Sequence, residues 1–243
     1  MVVSSMSKVI KIALLMAASL FMEILDGTIV TTALPKMAQY FHTGSATIAL
    51  LVSVYLITVA TFIPLSGWMA NRFGKKKIWI VAVIIFTFSS LSNSLAPNFS
   101  FLLIMRIVQG ISGAFMTPTA RLIVLEKTPA SQLLKMVSYL VWPALIAPAI
   151  APVIGGFIVT YWSWQWIFAF SSSLILVGVE LATYGRNYWI SALGLIILGV
   201  ILGFIVFRHL KKAANPLFSG TSSKGELVYR ELFGGQHFSI AVL

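Results

Sequence analysis

Residues 12–33 read IALLMAASLFMEILDGTIVTTA, twenty-two residues interrupted by only two charged side chains, Glu23 and Asp26. About 20 apolar residues are needed to cross ~30 Å of hydrocarbon as an α-helix, so the stretch is long enough to span a bilayer. Lys8 and Lys11 precede it, as in a signal peptide. The apolar run is too long for a signal core and holds two carboxylates, which reads as a retained first span.

The pattern repeats along the chain. Spans are expected at 12–33, 47–70, 77–96, 100–124, 136–160, 165–183 and 188–207. These stretches are continuous rather than alternating, which excludes a barrel. The predicted fold class is therefore all-α, a polytopic membrane helical bundle of about seven spans. Composition agrees: of 243 residues, 59% are hydrophobic and 9% charged, against about a quarter charged in soluble domains. The net charge of +11 lies in short basic runs between apolar segments, as in cytoplasmic loops, and no nucleic-acid motif accompanies it. The expected partners are thus the lipid bilayer and no nucleic acid. The chain has no cysteine, and His42, His209 and His237 lack ligand spacing, so no metal and no cofactor is predicted. No nucleophile elbow or phosphate loop appears, which argues against an enzyme.

Basic residues orient the spans. Lys8 and Lys11 precede the first. Arg72, Lys75, Lys76 and Lys77 join the second to the third, and Lys127 and Lys135 join the fourth to the fifth. The opposite joints hold only Lys36. This places the N-terminus in the cytoplasm of a multi-pass protein of the inner (plasma) membrane. Seven spans leave Arg208, Lys211 and Lys212 outside, against the rule. Either a span is miscounted or a helix has been lost after the fifth. Trp162, Trp164 and Trp166 are expected to form an interfacial aromatic belt.

Ionisable groups inside a span are costly and point to function. Asp26 follows Lys11 by fifteen residues, roughly 22 Å along the helix. Glu23 lies one turn earlier on nearly the same face. Low dielectric favours the protonated form of a carboxyl group, which suits proton exchange. A structural anchor to a neighbouring helix is the alternative. Arg106 enters the fourth span to roughly 8 Å, a depth at which it could meet Asp26; the alternative is snorkelling toward the interface. Arg106, Gln109, Gly110 and Gly113 share one helix face, and the glycines allow close approach of another helix. The segment GWMANRFGKKK (67–77) reads as a tight turn with a basic cluster, through Gly67, Asn71, Arg72, Gly74 and Lys75; a topology signal alone would also explain it. Pro143, Pro148, Pro152, Gly155 and Gly156 in the fifth span permit bending or close packing, or mark a merely kinked helix. Glu180 and Arg186 read as interfacial.

Together these segments resemble the major facilitator superfamily, and within it the fourteen-span drug:proton antiporters (the EmrB/QacA type). LDGTIVTTALP (25–35) is similar to the family's first-helix motif LDxTIVNVALP. The 67–77 segment resembles motif A, a cytoplasmic latch. RIVQGISG (106–113) resembles motif B, associated with proton coupling. PALIAPAIAPVIGG (143–156) resembles motif C, the antiporter motif, and WQWIF (164–168) the start of the sixth span. The resemblance covers residues 10 to about 170. Asn71 stands where motif A has Asp; it can still cap a helix but brings no charge for a salt bridge. Ala147 and Ala151 stand where motif C has Gly, which implies slightly looser packing.

The resemblance implies the N-terminal half of a major facilitator fold. It implies proton-coupled efflux of lipophilic or cationic small molecules, a multidrug antiporter whose partners include protons. Asp26, Arg106, Glu23 and Gln109 would serve coupling or substrate, with Glu23 helping to select cations. The domain organisation expected is a helical bundle over 1–170, a remnant of the central extra spans over 171–212, and a polar tail with the start of an incomplete span over 213–243. An internal deletion near Phe170 would account for the failing charge count, and the missing C-terminal spans imply that the chain does not transport alone. The other reading is a non-transporting membrane remnant, or a half that assembles with a partner half-transporter.

Overall fold

The computed structural model describes residues 2–169 and Ser171. The expected second and third domains, the seventh span at 188–207, and Glu180, Arg186, Arg208, Lys211 and Lys212 lie outside the described residues, as does most of the sixth span.

Within the described residues five long helices follow one another: α1 (Val2–Tyr40), α2 (Ser45–Phe73), α3 (Lys75–Ser94), α4 (Phe99–Lys127) and α5 (Leu133–Tyr161), with one short 3-10 turn at Ala130–Gln132 before α5. Each is long and apolar enough to cross a membrane. The helices overrun the apolar stretches that mark them. α1 continues past Ala33 through Pro35 and Lys36 to Tyr40; at 1.5 Å per residue its 39 residues run to about 58 Å.

Joints between helices are short and locally determined. α1 ends where His42 takes the left-handed conformation (φ 52) and the Thr43 N–H returns to the Ala38 carbonyl at 3.0 Å, a closure that satisfies carbonyls left open at a helix end. α4 begins at Asn98, whose side chain accepts from the Phe101 N–H at 2.8 Å, a side-chain cap on one of the free N–H groups of the first turn.

Small and apolar faces set the packing. α1 lies mainly on α5, α3 on α4, and α2 on α4. The α1–α5 contact shows which small residues of the 143–156 segment set its packing. On α5 the buried stripe is Met136, Leu140, Ala147, Ala151, Gly155 and Ile158. Pro148 and Pro152 turn away from it, and Pro143 is only half-buried. A Cβ on Gly155 would collide with Thr32 Oγ1 and come within 2.8 Å of Ile29 Cγ1 on α1, whereas Gly156 has nothing near it. Close approach therefore rests on one glycine of the pair and two alanines. All three prolines sit inside one continuous helix.

Two expectations are corrected. The three tryptophans do not form one belt: Trp162 is exposed, but Trp164 is buried, with its ring 5.4 Å from Tyr40, 5.5 Å from Phe41 and 6.2 Å from Phe168. It lies in the turn just before the next helical segment, which begins at Gln165, and its ring packs against the end of α1. Nor does Asn71 cap a helix. It lies inside α2 and is exposed, and the residue before α3 is Gly74, with no side-chain cap at that end.

Candidate functional site

The site lies where α1, α3 and α4 meet. Asp26 stands on α1, one turn beyond Glu23. Arg106 and Gln109 stand one turn apart on α4, and Asn93 on α3. Arg106 Nη1 donates to Asp26 Oδ2 at 2.9 Å, and Gln109 Nε2 donates to the same oxygen at 2.9 Å. Arg106 Nη1 also donates to Gln109 Oε1 at 3.0 Å. The three side chains thus close a ring of hydrogen bonds. Asn93 Nδ2 ties this ring to α3 by donating to Gln109 Oε1 at 2.8 Å.

Burial decides how the pair should be viewed. Asp26 and Arg106 expose 0% and 1% of their side chains, so Arg106 does not snorkel to the interface. A buried charge must be paired and hydrogen-bonded, because removing one partner strands the other in a low-dielectric interior. The Arg106 guanidinium is further enclosed by aromatic faces, Phe168 at 4.6 Å and Tyr55 at 5.5 Å from its carbon to the ring centroids. The rings place electron density over a cation whose remaining donors, Nε and Nη2, have no hydrogen-bond acceptor among the described residues. Asp26 Oδ1 likewise has no donor among them. All bonding to Asp26 converges on one oxygen, and the other keeps free lone pairs.

Glycines make this approach possible. A Cβ on Gly110 would lie 2.9 Å from Thr58 Cβ and 3.0 Å from the Tyr55 carbonyl oxygen; one on Gly113 would meet Glu23 Oε1 and the Tyr55 hydroxyl, each at 3.3 Å. The glycines of this face thus bring α2 and α1 against α4, as their spacing predicts.

Glu23 occupies a second polar position one turn below. It is buried and accepts from Thr117 Oγ1 at 2.6 Å, while Arg121, one turn further along α4, attracts it through space. The structure does not bond Glu23 to Asp26 or Arg106.

The latch-like segment is a different kind of feature. Lys75 pairs with Glu126 at the end of α4 at 2.8 Å, and Arg72 lies over the rings of Trp68 and Phe73 at 5.6 and 5.9 Å. The Lys75–Glu126 pair is solvent-accessible and weak by nature. Gly67 sits inside α2 with nothing within 4 Å of its Cβ position, whereas Gly74 has φ 94; only Gly74 makes the turn. These residues are remote in sequence and in helix position from the buried pair.

Several participants are absent from the sequence reading: Asn93, Thr117, Tyr55 and Ser90, whose Oγ donates to the Phe168 carbonyl at 3.0 Å; Phe168 itself is read there only as part of the start of the sixth span. The one side-chain amide in the 77–96 span was the available signal for Asn93. The others look like ordinary span residues until the helices are assembled. No cluster of metal-ligating side chains occurs among the described residues.

Membrane-length helices around a buried ion pair, with further polar groups aligned along one helix, define a polytopic bundle of the secondary-transporter class. Comparison with known proteins makes the assignment specific. Residues 16–187 match the family model of the Major Facilitator Superfamily, and the chain belongs to that superfamily. It is accordingly a multi-pass inner-membrane protein of a transporter family, not an enzyme. Among curated relatives, the multidrug resistance protein MdtD of Pectobacterium atrosepticum is 39% identical over 170 residues, which is 70% of this chain and 36% of that protein. The MdtD of Salmonella paratyphi B is 36% identical over the same shares. The chain thus spans about a third of the length of these relatives. A solved D-xylose–proton symporter superposes with a TM-score of 0.63 at 18% identity, covering 81% of this chain and 53% of the other. The inward-open xylose transporter XylE of E. coli gives 0.64 at 16% identity, covering 92% and 60%. At such identities the likeness extends to the fold.

Proposed function

We propose that this chain forms the N-terminal bundle of a proton-coupled exporter of lipophilic or cationic compounds, with Asp26 as the proton acceptor. The observation that carries the reading is the asymmetric bonding of Asp26. Arg106 and Gln109 both hold Oδ2, and Oδ1 has no partner among the described residues. A proton can therefore add at Oδ1 without first displacing either donor. Once Asp26 is neutral, Arg106 loses its counter-charge, and the tie between α1 and α4 weakens. Gln109 and the two aromatic faces remain to hold the cation. Protonation is thus converted into a change in how two packed helices attract each other, as alternating access requires.

Glu23 is the group placed to select cationic substrates. It lies on the same helix, one turn from Asp26, and Thr117 fixes its carboxylate. A cation bound near Glu23 would disfavour a further positive charge close by and so promote proton release from Asp26. The multidrug resistance names of the relatives support this substrate class. In this reading the N-terminus is cytoplasmic, because the basic joints after α2 and α4 lie on its side. Reporters inserted at Asn98 and after Lys127 are then expected on opposite faces, Asn98 outside.

The decisive experiment is proton release. Tetraphenylphosphonium is added to the purified chain in weakly buffered detergent, and pH is followed with a dye. Antiport predicts binding accompanied by released protons, and loss of that release in Asp26→Asn. Binding without proton release in the unmodified chain would overturn the coupling, and equal binding by Glu23→Gln would remove Glu23 from cation selection.

A further inference from the structure

We infer that Asn93 is a positioning residue that fixes the orientation of the Gln109 side-chain amide and thereby keeps a hydrogen-bond donor on the Asp26 carboxylate. The inference rests on the reading of Asp26 as the proton acceptor and adds to it a neutral residue on a third helix, α3.

The amide orientations follow from the chemistry of the ring. A primary amide presents an acceptor on one side and a donor on the other. Arg106 has only donors, so the face of Gln109 toward Arg106 must be its oxygen. An ionised Asp26 has only acceptors, so the face toward Asp26 must be the nitrogen. Asn93 approaches the same oxygen of Gln109 at 2.8 Å, and therefore presents its own nitrogen. Reversing Gln109 would set oxygen against carboxylate and nitrogen against guanidinium. Two donors, Asn93 Nδ2 and Arg106 Nη1, thus hold one oxygen, and the N–H directed at Asp26 follows from the planarity of the amide.

Arg106 cannot perform this task alone. Its Nη1 is shared between Asp26 Oδ2 and Gln109 Oε1, and its grip on both changes whenever Asp26 changes charge. Asn93 is neutral, completely buried, and carried on a separate helix. Its bond to Gln109 does not depend on the protonation state of Asp26. It is the part of the network able to keep the amide aligned through a proton cycle.

Other ionisable groups surround the network. Those facing Asp26 are Glu23 on α1, Tyr55 on α2 and Arg106 on α4. α3 carries Lys75, Lys76 and Lys77 only in its first turn. On α5, Lys135 and Tyr139 lie in the first two turns and Tyr161 in the last. None is altered by the substitutions below.

The test is the pH titration of carboxyl protonation by infrared difference spectroscopy on the full 243-residue chain in lipid nanodiscs. Asp26→Asn identifies the band. Gln109→Leu removes a donor from the carboxylate and is expected to move the midpoint upward by about one pH unit, a tenfold gain in proton affinity, as suits loss of one hydrogen bond to a charged group. Asn93→Leu, which keeps the branched shape of the side chain but removes its polar atoms, is expected to move it in the same direction by a smaller amount, and to produce no further shift when combined with Gln109→Leu. Asn93→Ser, which lacks the reach, gives the same direction if the leucine variant does not fold. An unchanged midpoint in a folded Asn93 variant, or an equal shift in the Gln109→Leu background, overturns the inference and leaves the proton reading intact. If Asp26→Asn removes no titrating band, so that the only titrating buried carboxyl among the described residues is Glu23, the proton reading itself is overturned.

Discussion

Phe168 lies with its ring centroid 4.6 Å from the guanidinium carbon of Arg106, and its backbone carbonyl accepts from Ser90 of α3 at 3.0 Å. The segment after α5 thus reaches back over the buried cation and is fastened there by α3. A desolvated cation–π contact contributes about 2 kcal/mol. Phe168→Leu is expected to destabilise the bundle by about that amount. In an Asp26→Asn/Arg106→Met background, where no cation remains, the same change is expected to cost less than about 1 kcal/mol. Chemical unfolding in detergent followed by tryptophan fluorescence measures both. Equal costs in the two backgrounds would reduce Phe168 to ordinary packing.

The buried pair itself should behave asymmetrically. Arg106→Leu leaves the Asp26 carboxylate buried without its counter-charge, an arrangement that costs about 3–5 kcal/mol. Asp26→Asn/Arg106→Leu replaces both charges and is expected to recover most of that loss, since neutral replacement of a whole ion pair is often nearly neutral in stability. Arg106→Lys should fall between the two, because an ammonium cannot serve Asp26 and Gln109 in the same plane while facing two rings. Unfolding midpoints of the three variants, compared at one pH, check the order. If the double variant were as unstable as Arg106→Leu, the cost would lie in packing rather than in charge.

Adjacent glycines on α5 should give opposite results. Gly155→Ala places a methyl group against Thr32 Oγ1 and Ile29, which forces α1 and α5 apart; overpacking of this kind costs about 1–3 kcal/mol. Gly156→Ala meets nothing within 4 Å and is expected to stabilise by about 0.5–1 kcal/mol through helix propensity. Thermal unfolding of the two single variants decides the matter. Destabilisation by both would show that the second glycine serves bending instead.

The difference between these glycines also marks the limit of what could be read from the sequence. Hydropathy located all five helices, since a membrane span announces itself by length. Asp26 and Arg106 were legible as intramembrane charges, and depth arithmetic put them within reach of one another. Gln109 and Gly110 followed from helical spacing. What spacing could not supply was the rotation of each helix about its axis against its neighbours. That rotation turns Gly155 toward Thr32 and Gly156 away, and brings Asn93 to Gln109. Neutral side chains such as Asn93 and Phe168 carry no cost large enough to single them out before assembly. Asn71 misled because capping residues are common at turns; here α2 runs on past it, and Gly74 alone makes the connection.

That connection yields a last expectation. Gly74 is the single residue between α2 and α3, with φ 94 and ψ 127, a region costly for any residue bearing a Cβ. Its N–H still closes α2 by donating to the Ala70 carbonyl at 3.1 Å, and its own carbonyl accepts from the Ile78 N–H at 3.0 Å. One residue therefore ends one helix and starts the next, and a shift in its φ would disturb both bonds. Gly74→Ala is expected to destabilise by about 1–3 kcal/mol although nothing lies within 4 Å of the added carbon, because the penalty is conformational. Gly67→Ala, in the same motif but inside α2 and equally free of neighbours, is expected to gain up to about 1 kcal/mol instead. Hydrogen exchange at the Ile78 amide separates the two: faster exchange in Gly74→Ala and unchanged exchange in Gly67→Ala is the expected pair. Equal protection in both variants would mean that the joint can adopt an unstrained geometry, and that the glycine at 74 is dispensable for the turn.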